Sequence, residues 1–203
     1  MWLLLAGLAL AELPPPDYRD VLNASAADEV TRRARATGVA DAMAFAKAWE
    51  RQVGPDARVR YEVGLALRLA GRDREAAWWL DASLDLDPEL VAGRYDRGEL
   101  RLTAGDLAAA REDFEVVARV APERWPGHFR LAEVAARRAD ADAFERHLLD
   151  ALRTGFSVRT VVGDARWRGY LRHPELGPVL RRLVVAYQDE AVLDALESSE
   201  NPP

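Results

Sequence analysis

Residues of compatible type recur along this chain at a fixed step of 34 positions. Gly64 pairs with Gly98 at that step, Gly71 with Gly105, Ala76 with Ala110, Leu80 with Phe114, and Pro88 with Pro122. Tyr61 steps to Tyr95 and then to Phe129. A period of this length marks stacked supersecondary units, none of which buries its apolar face alone. Three units follow, over 57–90, 91–124 and 125–158. One further step back gives a weaker unit at 23–56, with Ala42 at the small position and Pro55 near its end. In the 125–158 unit, Ala132, Ala139, Phe144 and Phe156 stand where the others have Gly, Gly, Ala and Pro.

Each unit reads as a helix, a tight turn and an antiparallel helix. Gly64 and Ala76 are small where the paired helices approach closely. Gly71 and Gly105 stand at first-helix C-termini, where a positive φ favours glycine. Asp106 is placed to cap the helix that follows. Pro88 and Pro122 close the second helices, because proline cannot continue a helix interior. Trp78 and Trp79 are adjacent on a second helix, so only one of them can face the core of the pair.

The stretches Gly64 to Gly71, Glu75 to Leu80 and Ser83 to Pro88 resemble a tetratricopeptide repeat, as does Gly98 to Pro122 with Phe114 at the large position. The resemblance implies an all-α fold, a right-handed α-α superhelix of about four helix pairs with C-terminal capping helices. Beyond residue 158, Asp164 to Leu171 followed by Pro174 resembles the segment that often closes such arrays in bacterial proteins. The expectation over 159–197 is a short helix, a break at His173-Pro174 and a longer helix over 175–197, with a frayed tail at 198–203.

The N-terminus reads differently. Met1 to Ala11 is an apolar run too short to span a bilayer, which needs about 20 residues. It suits a secretory signal peptide cut after Ala9-Leu10-Ala11, although no basic residue precedes it. Residues 12–22, with Pro14, Pro15 and Pro16, read as an extended linker. Export to the periplasm or outside the cell is therefore expected, with no stable membrane span once the signal is removed; a cytoplasmic chain is the alternative.

Composition narrows the function. The 203 residues carry a net charge of −6, which gives no basic excess for nucleic acid. There is no cysteine, so disulfides and thiolate metal sites are excluded. His128, His147 and His173 lack metal-ligand spacing, and no phosphate loop or nucleophile elbow is present. No catalytic residue, metal or cofactor is expected. The leading expectation is a non-catalytic protein- or peptide-binding scaffold of an envelope complex. A self-associating structural subunit is the alternative, and an enzyme a remote one.

In the tetratricopeptide family the first helix of each pair lines a concave face. By that resemblance the candidate binding residues are Tyr61, Leu65, Arg68 and Leu69 in one unit. They are Tyr95, Glu99, Leu102 and Thr103 in the next, and Phe129, Glu133, Ala136 and Arg137 in the third. Tyr61, Tyr95 and Phe129 would form an aromatic ladder for an extended peptide or a helix, or would fill space between helices.

Overall fold

The computed structural model describes residues 16–198, which hold eleven α-helices, one 3-10 turn and no strand. The helices are α1 (Pro16–Ala36), α2 (Val39–Val53), α3 (Ala57–Leu69), α4 (Asp73–Leu84), α5 (Val91–Ala104), α6 (Leu107–Val120), α7 (Trp125–Arg137), α8 (Ala141–Arg153), α9 (Ala165–Arg172), α10 (Leu176–Tyr187) and α11 (Glu190–Ser198). The 3-10 turn spans Val158–Val161. The fold is all-α, as the repeat implies. The chain forms two compact units, one ending at Gly93 and one beginning at Arg94, so the division falls in the first turn of α5.

In the first unit, α1 starts at Pro16, which corrects the extended reading of 16–22. Proline is tolerated in a first turn, where its missing N–H had no intrahelical partner to lose. The signal-peptide reading and residues 12–15 of the linker lie outside the described residues. Asn23, Ala26, Ala27 and Val30 form a buried stripe on α1 at helical spacing. The Trp49 indole donates to Asn23 Oδ1 at 3.1 Å, which ties α2 to α1. Ala42 is fully buried at its small position.

Helix α3 is capped by Asp56, whose carboxylate accepts from the N–H groups of Arg58 and Val59. Its buried face, Val59, Val63, Gly64 and Leu67, packs on Ala76, Trp79, Leu80 and Leu84 of α4. A Cβ on Gly64 would meet the Leu80 side chain at 3.0 Å, so the small residue sets how closely the pair approaches. Trp79 is buried, whereas Trp78 stands edge-on to it at 5.1 Å and is 62% exposed.

In the second unit the same register holds with different side chains. A Cβ on Gly98 would lie 2.6 Å from the buried Phe114 ring. Asp106 and Asp140 cap α6 and α8 by accepting from Ala109 and Ala143 N–H. Helices α7 to α11 share one apolar core around Trp167. Trp167 stacks on Phe129 at 5.5 Å and 7°, and Phe144, Phe156 and Tyr170 also lie against it. The single long helix expected over 175–197 is in fact α10 and α11. Gln188 is extended there, and the Asp189 carboxylate accepts from Val192 N–H at 3.0 Å, opening a new helix. Residues 199–203 of the expected tail lie outside the described residues.

The turn between the paired helices has one costly member. Gly71 and Gly105 adopt φ of +71° and +83°, and at the next step Ala139 adopts +55°. A left-handed alanine costs roughly 1–2 kcal/mol. Part of that would be offset by the greater freedom of an unfolded glycine. Ala139→Gly is therefore expected to raise stability by about 0.5–1 kcal/mol, read as an increased urea midpoint at unchanged slope. A lower midpoint would show that the turn carries no strain.

Candidate protein-binding site

Helices α1 and α3 pack side by side in the first unit. The Thr31 hydroxyl donates to Glu62 Oε2 at 2.6 Å, bridging them. Next to that bond the helices leave a groove of about 260 Å³. Ala34, Ala66 and Ala70 are too small to fill it, and Leu65, Leu69 and Val39 supply apolar wall. Thr31, Glu62 and Arg35 complete the lining. Leu69 is 76% exposed, the largest value among the exposed large hydrophobic residues described.

The repeat explains why these residues meet. Thr31 and Arg35 lie one 34-residue step before Leu65 and Leu69, so they occupy the same face of successive first helices. The same register in the second unit brings Tyr95, Glu99 and Leu102 of α5 to Arg130 and Arg137 of α7. There, long side chains bridge the two helices. Arg130 Nε donates to the Tyr95 hydroxyl at 3.1 Å and lies 2.6 Å from Glu99. A second nitrogen of Arg130 reaches Glu133 at 2.5 Å, and Arg166 of α9 reaches the same carboxylate at 2.7 Å. Arg137 donates to the Leu102 carbonyl at 2.7 Å.

Glu133 is fully buried, and two guanidiniums supply the opposing charge that such burial requires. Burial holds the Tyr95 and Tyr170 phenols above their ordinary pKa, so both remain neutral hydrogen-bonding groups. The hydrogen bond from Arg166 keeps the Asp164 carboxyl below the usual carboxylate range.

Among the sequence candidates, Leu102, Phe129 and Glu133 are thereby corrected as contact residues, since they are buried. Phe129 packs against Phe156 at 4.4 Å as well as on Trp167, so it belongs to the core rather than to an open ladder. Ala136 is buried too. Tyr95 stands edge-on to Phe114 at 5.9 Å and, like Glu99, is held by Arg130. Thr103 and Arg137 are exposed, and Tyr61 and Arg68 are partly buried on α3. Leu65 and Leu69 are the candidates that line the open groove. Their α1 partners were not among the candidates, although one more backward step from Leu65 and Leu69 reaches Thr31 and Arg35.

Among the described residues, no helix is long and apolar enough to cross a membrane. No protein-family model matches the sequence. No curated protein matches it either. Among solved structures, the chain is similar to MamA, residues 41 to the end, from Desulfovibrio magneticus RS-1. That likeness has a TM-score of 0.60 and 18% identity, and covers 88% of this chain and 97% of that one. A MamA RS-1 double mutant is similar at a TM-score of 0.62 and 18% identity, over 86% of this chain and 97% of that one. At that identity the likeness is one of fold: this chain has the tetratricopeptide-like, all-helical fold of those two structures.

Proposed function

We propose that this protein is a non-catalytic scaffold that binds a protein or peptide partner in the groove between α1 and α3. The supporting observation is an open, largely apolar groove, where the matching face of the second unit is crossed by its own arginines. At about 260 Å³ it falls below the range of roughly 300–1,000 Å³ usual for drug-sized ligands. A space of that size suits side chains projecting from a docked segment. The apolar Met1–Ala11 run supports export, so the partner is sought in a cell-envelope complex.

One preparation tests both parts. Chain recovered from a native envelope fraction should begin near Glu12, and cross-linking should trap a defined partner. Ala66→Leu fills the groove, and Leu69→Gln changes an exposed side chain, so neither should unfold the helices. Together they should reduce capture about tenfold, the effect of losing central apolar contacts. Undiminished capture would remove the groove from the function. A chain that still begins at Met1 in the cytoplasm would remove export.

A further inference from the structure

The two charged groups on the groove between α1 and α3 are in different states. The Glu62 carboxylate already accepts a 2.6 Å hydrogen bond from Thr31. Arg35 is exposed, and among the described residues no carboxylate forms an ion pair with it. The neighbouring arginines of α1 explain this. Arg32 pairs with Glu29, and Arg33 pairs with Glu29 and Asp41. Glu29 and Asp41 are therefore engaged by these other arginines. Arg35 lies one turn beyond Thr31 on the same helix, about 6 Å further along the axis. The groove thus has a satisfied carboxylate at one end and an unengaged guanidinium at the other.

The form of an occupant follows from the walls. Both are helices, whose backbone groups bond internally, so no sheet edge is offered to an extended strand. A helix needs no such edge, because it satisfies its own backbone. The lining holds alanines, leucines and one valine but no aromatic ring, which suits aliphatic anchors. We propose that the groove takes an amphipathic helix of a partner protein, with aliphatic side chains seated between α1 and α3 and a carboxylate paired with Arg35. This rests on the reading of the groove as the binding face.

The test uses the full chain and a set of synthetic helical peptides of about 16 residues, long enough to hold a helix. Each has one leucine face, and a single Glu, or Gln in its place, is moved along the border of that face. Binding is read by fluorescence anisotropy. At one border position the Glu peptide should bind about three- to fivefold tighter than its Gln counterpart, as expected of a rim ion pair. That preference should vanish in Arg35→Gln and in about 1 M salt, while the Gln peptides are unaffected by the substitution. Both peptide series should be weakened by Ala66→Leu.

The alternatives separate cleanly. Peptides that Ala66→Leu weakens, but that show no Glu preference dependent on Arg35, overturn the charge pairing and leave the groove as a binding face. Absence of binding, or binding that Ala66→Leu does not weaken, overturns both. A full chain that dimerises in sedimentation, and that Ala66→Leu renders monomeric, assigns the groove to a second copy and overturns the proposal.

Discussion

Trp167→Ala is expected to destabilise the second unit by about 3–5 kcal/mol, the range for emptying a large buried aromatic site. Trp167 is fully buried, and its ring is walled by Phe129, Phe144, Phe156 and Tyr170. These come from α7, α8, α9 and the segment after α8, so collapse into the cavity would require several elements to shift together. Urea unfolding followed by tryptophan fluorescence and far-UV circular dichroism measures the loss. A cost below about 1.5 kcal/mol, the scale of a volume-conserving swap, would show that the core relaxes into the space and that Trp167 is not its centre. The same residue bears on the C-terminal helices. Residues of α9, α10 and α11 join α7 and α8 in one cluster, so α7 and α8 lack a complete core without them.

The second large effect is expected at Asp113, a fully buried carboxylate on α6. Arg94 and Arg101 approach it at 2.9 and 2.8 Å, and Arg97 at 2.6 Å. Asp113→Ala leaves three guanidiniums without that counter-charge and should cost about 3 kcal/mol. That is the low end for breaking a buried pair, because the arginines retain 13–29% exposure and water solvates part of the charge. One repeat earlier, the positions of Arg97, Arg101 and Asp113 are Val63, Leu67 and Trp79, all buried. Copying that apolar set with Arg97→Val, Arg101→Leu and Asp113→Trp should recover most of the loss, since well-packed apolar groups commonly replace buried ions without penalty. A triple variant no more stable than Asp113→Ala would mean that the charges are needed for the pair to form.

Much of the helix framework was legible because its causes are local. Gly71 and Gly105 mark turns that require positive φ, Asp106 marks a cap, and Gly98 marks a close approach to Phe114. Two boundaries differ from the sequence expectation for equally local reasons. Pro16 stands in a first turn, where proline does not break a helix, and the Asp189 cap divides the expected 175–197 helix into α10 and α11. The binding face was much less legible. Tyr61, Tyr95 and Phe129 share a register, yet Phe129 is buried in aromatic packing and Tyr95 is held by Arg130, while Tyr61 lies partly buried. Register assigns a residue to a helix face but says nothing of what crosses to meet it.

The sequence by itself determined the all-α class, the 34-residue step, and the turn and cap chemistry between successive helices. These depend on backbone geometry and on residues a few positions apart. Tertiary structure decided which first-helix face stays open. Arg130 reaches Glu99 across 31 residues and closes one face with charge. Thr31 reaches Glu62 across the same separation with short side chains and leaves a groove beside it. The two contacts share one register and differ in side-chain length and charge. Whether space remains between two helices depends on the volume both contribute, and that becomes visible only when they are packed together.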